Sequence, residues 1–151
     1  MYSIECMCLS SGDIVKGQYQ IIRQFDRGGF GVTYLARDHH QPDNADPIIL
    51  KQIRIPQGSE NGESRDTDYL KRLEGEANTL WRLQYHYIPK FYARFTDGEY
   101  FYIAQEYIEG QNLSQEIIPG EPIDEQQAVT MLREILQILR FVHSNNIIHR
   151  D

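Results

Sequence analysis

The sequence has little cysteine, no long apolar run and fewer bases than acids. Cys6 and Cys8 are separated by one residue, a spacing that favours neither an unstrained disulfide nor a zinc site, so we interpret them as reduced thiols. No stretch approaches the roughly 18 consecutive apolar residues that a membrane-spanning helix needs. The amino terminus also lacks a basic region leading into an apolar segment, which argues against a secretory signal. The expected location is the cytoplasm.

The balance of charge argues against a polyanion-binding surface. There are 15 Lys and Arg residues against 22 Asp and Glu residues, a net charge of −7, so nucleic acid is not an expected partner. With 40% hydrophobic and 25% charged residues in a chain of 151, the composition is typical of one soluble globular domain. The histidines show no metal-ligand spacing, and no metal site is predicted.

Strand patterns dominate the first two thirds of the chain. Residues 1–17 form a mixed polar leader without periodicity, which we expect to be loosely attached. Between Tyr19 and Asp38, β-branched and aromatic residues flank a glycine cluster, predicting two antiparallel strands with a tight turn. A third strand is predicted at 48–55, and a hairpin at 91–96 and 100–107.

Two long helices are predicted from apolar periodicity. The first spans Asp66 to Leu83, with an apolar stripe formed by Leu70, Leu73, Ala77, Leu80 and Trp81. Glu76 lies on the flank of that stripe, where a carboxylate requires a cation. The second helix follows Asp124, a plausible cap with Gln127 three residues later, and is apolar over much of its circumference. It therefore requires neighbours on more than one side.

The glycine cluster and a strand lysine suggest phosphate binding. Gly28, Gly29, Phe30 and Gly31 form the turn between the first two strands, and glycines allow backbone N–H groups to approach a phosphate closely. Such a turn alone is more often a plain hairpin loop. Lys51, at the end of an apolar run on the next strand, favours the phosphate reading. The alternative is a lysine that extends from a strand edge into solvent.

These segments precede Gln105-Glu106-Tyr107-Ile108 and finally His149-Arg150-Asp151. In order and spacing the set resembles the eukaryotic-type serine/threonine protein kinases, in the form also seen in bacteria, from about Tyr19 to Asp151. The resemblance implies an α+β fold. A small lobe over 18–108 would hold a five-stranded antiparallel sheet and one long helix, and 109–151 would hold the hinge end and the first helices of an incomplete large lobe.

The resemblance also assigns roles in binding ATP with Mg²⁺. Nucleotide contacts would come from the glycine turn, from Lys51 and from the hinge backbone, namely Gly28, Gly29, Phe30, Gly31, Lys51, Glu106 and Ile108. Lys51 would pair with Glu76, and Asp151 would orient the substrate hydroxyl and accept its proton. These three residues are the expected catalytic groups, and Gln105 would occupy the gatekeeper position.

The sequence departs from the family pattern at two positions in the nucleotide site. Asp26 replaces the first loop glycine, and its repulsion of phosphates is expected to weaken ATP binding by about 1 kcal/mol. Ile49 replaces a small alanine, which predicts a tighter adenine pocket. The sequence contains no Asp-Phe-Gly segment to hold Mg²⁺, so the chain alone is expected to lack most activity.

Three functional hypotheses follow. The first is transfer of the ATP γ-phosphate to a serine or threonine of a protein substrate. The second is a non-catalytic, pseudokinase-like module that binds nucleotide or docks on another protein through the helix from Asp124 to Asn145. The third is a product of an interrupted gene without a stable function.

Overall fold

The computed structural model describes residues 8–29, 31–56, 63–116 and 123–148. The described residues divide into two units. The first contains the chain up to Arg82 together with Pro89–Tyr107, and the second contains Leu83–Ile88 together with the residues from Ile108 onward. Every described strand belongs to the first unit.

One antiparallel sheet organises the first unit. Its strands are β1 (Ile14–Val15), β2 (Tyr19–Gly28), β3 (Gly31–Asp38), β4 (Ile48–Arg54), β5 (Phe91–Asp97) and β6 (Tyr100–Glu106), in the order β1-β2-β3-β4-β6-β5. The three hairpin and sheet segments predicted from alternation are all present, with ends that differ by a few residues. The sheet has six strands where five were expected, because β1 adds a short edge strand to β2.

Residues 8–17 do not form the loose leader that the sequence suggested. Lys16 and Gly17 have φ values of 51° and 67° and make a two-residue hairpin turn, which places Val15 at 3% exposure beside β2. The backbone N–H of Lys16 also donates to Asp97 at 3.1 Å. These partners are distant in sequence, so no local periodicity could reveal them. Residues 1–7 lie outside the described residues.

The two faces of the sheet carry different cores. On one face, Tyr34, Leu50 and Tyr102 belong to a large buried cluster within the sheet. The other face is covered by α1 (Glu63–Arg82), whose Leu73 and Ala77 pack with Phe101 and Ile103. The helix thus buries the centre of the predicted stripe.

The end of the predicted α1 stripe is not buried. Leu80 is 38% exposed and Trp81 is 59% exposed, although both lie at helical spacing from Ala77. The Trp81 ring instead approaches Phe91 of β5, with centroids 6.0 Å apart. Helical periodicity identified the stripe, but the sheet covers only part of its length.

The second unit contains α2 (Leu113–Glu116), which the sequence did not predict, and α3 (Glu125–Ser144). Asp124 caps α3 as expected, since its Oδ2 accepts from the N–H groups of Gln126 and Gln127 at 3.1 and 3.2 Å. Near the other end, Phe141 stacks on the ring of Tyr85, with centroids 4.6 Å apart. Neither long helix, nor any other helix among the described residues, is apolar enough to cross a bilayer.

Candidate functional site

The glycine turn brings β3 very close to β4. Gly31 has a φ of 133°, and a Cβ atom at this position would overlap the backbone carbonyl oxygen of Gln52. Only glycine tolerates both constraints. By contrast, Gly28 and Gly29 lie in open space with room for a side chain. Phe30 lies outside the described residues, so its predicted place at the tip of the turn stays a prediction.

Lys51 lies on the sheet face that α1 covers. It pairs directly with Thr33 of β3 and with Ile103 of β6, and Ile103 packs against the apolar residues of α1. Directly paired residues of an antiparallel ladder share a face. Lys51 is half-buried there, and burial lowers the pKa of its ammonium group. It is therefore not a lysine extended freely into solvent.

The helix presents the backbone of Glu76 toward the same face. Glu76 lies in α1 between Leu73 and Ala77, the two residues that contact the sheet. Its side chain is outside the described part of the structure. The fold brings the two elements together, and the ion pair between Lys51 and Glu76 stays a prediction.

The predicted hinge begins at the end of β6. The backbone N–H of Glu106 donates to the Lys90 carbonyl at 2.8 Å, and its carboxylate accepts from the Lys90 N–H at 2.9 Å. These bonds fix the end of the strand. Ile108 begins the next part of the second unit and is 57% exposed. The roles of both backbones toward adenine are untested.

Sequence reasoning missed an aromatic pair beside this strand end. Phe25, on β2 just before Asp26, is 44% exposed and meets the ring of Tyr107 edge to face at 5.8 Å. The guanidinium of Arg23 lies 5.3 Å from the centre of the Phe25 ring. An exposed aromatic one residue before the departing loop position was the available signal. The pair provides an apolar surface on which a flat base can rest.

Asp26 remains exposed at the glycine turn. Its Oδ1 accepts a hydrogen bond from the backbone N–H of Arg27 at 2.8 Å. The carboxylate is thus tied to the loop itself, where it occupies a donor and keeps a negative charge near the expected phosphates.

The remaining predicted residues cannot be placed. His149, Arg150 and Asp151 lie outside the described residues. Within the described ranges, no three histidine, cysteine or acidic side chains converge on a possible metal position.

Comparison with known proteins shows the family. The model of the protein kinase domain matches residues 19–151. The chain therefore belongs to the protein kinase family. Its sequence relatives include serine/threonine kinases of bacteria, as its motifs indicated.

Serine/threonine-protein kinase D of Synechocystis is 36% identical over 140 residues, which cover 91% of this chain and 26% of the relative. Serine/threonine-protein kinase B of the same organism is 37% identical over 149 residues, covering 96% and 25%. The chain thus spans about a quarter of the length of these relatives.

The fold is shared with solved kinase structures. The kinase domain of Mycobacterium tuberculosis PknI aligns with a TM-score of 0.74 over 96% of this chain and 56% of that chain. Sequence identity is 20%, so the likeness concerns the fold alone. It confirms the expected kinase small-lobe architecture.

Proposed function

We propose that the first unit binds the phosphates of ATP and belongs to an enzyme that transfers the γ-phosphate to serine or threonine of a protein substrate. The observation that carries the proposal is the position of Lys51. A half-buried ammonium stands on the α1 face of β4, opposite Thr33 and one residue from the strand position that the glycine turn contacts. A cation kept partly dehydrated interacts more strongly with an anion than one in bulk water.

The proposed phosphate contacts combine backbone donors with this cation. N–H groups of Gly28, Gly29, Phe30 and Gly31 would face the triphosphate, and Lys51 would bind its α- and β-phosphates. Glu76 would hold the ammonium in place, because a carboxylate offsets the cost of burying a lysine. Magnesium, when bound with ATP, neutralises charge between the phosphates.

The adenine end would use the strand that leaves the sheet. The Glu106 carbonyl would accept from the adenine amino group, and the Ile108 N–H would donate to the ring. Phe25 adds an apolar surface at this end, and Ile49, 5% exposed on the Lys51 face, narrows the space. The site is thus suited to a flat base followed by phosphates.

Phosphate transfer would use Asp151 to orient the protein hydroxyl and accept its proton. Magnesium-holding groups are needed as well, and the 151 residues contain no Asp-Phe-Gly segment. We expect residues 1–151 alone to bind nucleotide without transferring phosphate. Incubation with Mg-ATP, radiolabelled in the γ-phosphate, and a generic protein substrate tests this; incorporation above a no-protein blank would contradict it.

Nucleotide binding is tested by titration with a fluorescent ATP analogue. We expect Lys51→Met to weaken binding at least tenfold, because the charge contacting the phosphates is lost. Lys71→Met is the matched control, since Lys71 lies on the exposed side of α1 and its side chain is 71% exposed. Equal affinities for wild type and Lys51→Met would overturn the proposal.

The same titration tests the effect of Asp26. Asp26→Gly removes the carboxylate from the turn, and we expect about fivefold tighter binding, corresponding to about 1 kcal/mol of relieved repulsion. Asp43→Gly, on an exposed loop of the same unit, is the control for loss of one negative charge. Unchanged affinity in Asp26→Gly would show that the carboxylate does not face the phosphates.

A second candidate, a non-catalytic docking module, is favoured by one observation. Val129, Leu132, Ile135 and Leu136 of α3 are all at least 40% exposed. Light scattering distinguishes the cases: a monodisperse monomer that binds ATP argues against docking through α3. Self-association that Leu132→Lys abolishes would favour it.

A further inference from the structure

A buried hydrogen-bonded group lies on the face of the sheet opposite to Lys51. Gln52 is 1% exposed, and it is the single buried polar side chain among the described residues. Its Oε1 accepts from the Tyr34 hydroxyl at 3.2 Å, and its Nε2 donates to the Tyr102 hydroxyl at 3.0 Å. The amide is thus satisfied by two neighbouring strands, β3 and β6.

This group extends into the segment before the sheet. The backbone N–H of Leu9 donates to the Tyr34 hydroxyl at 3.0 Å. The Leu9 side chain packs against the same cluster. Tyr34 therefore accepts a bond from the amino-terminal segment and donates one to Gln52. Residues Cys8–Gly17 and β4 are linked by a continuous series of hydrogen bonds.

Burial makes this arrangement selective. An amide without partners in an apolar core is costly, so Gln52 is held where both tyrosine hydroxyls can reach it. Burial raises the pKa of Tyr102 to about 12, although the bond from Gln52 partly opposes the rise. The hydroxyl is therefore protonated at physiological pH. The group keeps one hydrogen-bonding state under the conditions of nucleotide binding.

The position of Gln52 in β4 ties it to the proposed phosphate site. Successive strand residues point to opposite faces, so fixing Gln52 on one face directs Lys51 to the other. The backbone carbonyl of Gln52 is also the atom against which Gly31 packs. One residue thus contacts the glycine turn through its backbone, and the core through its side chain.

We propose that Gln52 is a positioning residue for Lys51, and that the segment Cys8–Gly17 contributes to the nucleotide site through the bond from Leu9 to Tyr34. The inference rests on the proposed nucleotide binding. It predicts that loosening the hydrogen-bonded group alters Lys51 although no atom on the Lys51 face changes.

The first experiment removes single hydroxyl groups. Tyr34→Phe and Tyr102→Phe each delete one partner of Gln52. Tyr19→Phe is the matched control, because Tyr19 belongs to the same cluster but pairs with Asp38, at the other end of β3 from the Gln52 pair. We expect the first two variants to bind the fluorescent ATP analogue at least threefold more weakly, and the control to bind normally.

A second measurement needs no nucleotide, and it separates positioning from general stability. The rate at which an amine-reactive reagent labels Lys51 is followed against pH by peptide mass spectrometry. We expect the labelling midpoint to move upward in Tyr34→Phe and Tyr102→Phe, as a less ordered strand admits water to the ammonium. Because this readout does not involve ATP, a failure of nucleotide binding alone leaves it interpretable.

The contribution of the amino-terminal segment is tested at the backbone. Leu9→Pro removes the N–H that donates to Tyr34, whereas Leu9→Ala shortens the side chain and keeps the donor. We expect Leu9→Pro to shift the Lys51 midpoint and weaken binding more than Leu9→Ala does. If all hydroxyl variants lower only the melting temperature and leave the midpoint and affinity as in Tyr19→Phe, the positioning role is overturned. Equal behaviour of the two Leu9 variants would remove the segment from the proposal.

Discussion

The two units differ in how completely they bury their own apolar residues. In the first unit, both sheet faces have a buried cluster, and Tyr34, Leu50 and Ala77 are fully inaccessible. In the second, Leu83 and Val142 are the buried apolar residues among those described, while Leu132 of α3 is 54% exposed. A sheet with a helix on one face forms a core from its own strands. A single long helix that is apolar on several sides requires other elements to cover it.

The largest expected effect tests the core of the first unit. Leu50→Ala removes a fully buried side chain and should lower the free energy of unfolding by about 2–5 kcal/mol, through lost apolar burial and the cavity left behind. Leu132→Ala in α3 is the control, and should change it by less than about 0.5 kcal/mol. Urea denaturation followed by circular dichroism measures both. Similar losses would mean that α3 is covered as well as β4 is.

Within the first unit, the close approach of β3 and β4 is tested at the glycine turn. Gly31→Ala should destabilise by about 1–3 kcal/mol, because it combines a strained positive φ with an overlap on the Gln52 carbonyl. Gly28→Ala, where the new methyl group meets nothing within 4 Å, is the control and should be nearly neutral. Thermal denaturation of the two variants compares them directly. A Gly31→Ala protein as stable as wild type would contradict the described packing of the turn.

In the second unit, the helix cap provides the stabilisation that can be tested most locally. Asp124→Ala removes the acceptor for two N–H groups and should cost about 1 kcal/mol of α3 stability. Asp124→Asn retains an acceptor and should lose much less. Hydrogen exchange of the first turn of α3 measures the effect. Equal protection in both variants would show that the side-chain bonds do not hold this end.

The smallest expected effect separates stability from binding at Lys51. Because burial lowers its pKa below the ordinary 10.5, the folded chain releases this proton at lower pH than the unfolded chain does. The Lys51 contribution to stability is therefore unfavourable at neutral pH and improves as pH rises from the lowered value toward 10.5.

Without nucleotide, Lys51→Met should thus be slightly more stable than wild type at neutral pH, with a difference that shrinks toward pH 10.5. Urea midpoints measured at several pH values check this, and Lys71→Met should show no such trend. A gap that widens with pH would contradict the burial of Lys51.

Sequence patterns predicted the features that depend on local chemistry. Alternating residues located five of the six strands, and Asp124 was identified as a cap because a short acceptor precedes an apolar helix. The glycine turn and Lys51 indicated the family, which the domain match confirmed. The residues expected around the phosphates remain a proposal, since the side chain of Glu76 and residues Phe30 and Asp151 are not described.

Other features depended on partners far away along the chain. Gln52 follows Lys51 in an ordinary strand pattern, and nothing nearby shows that tyrosines 18 and 50 residues away complete its hydrogen bonds. Trp81 continued an apolar stripe, yet the sheet does not reach far enough to bury it. The sequence by itself determined which segments form strands and helices, and which family they belong to, because backbone preferences and periodicity act over a few residues. Only the tertiary structure decided that residues 8–17 join the sheet, and which side chains it buries, because burial and hydrogen bonding require surfaces supplied by distant segments.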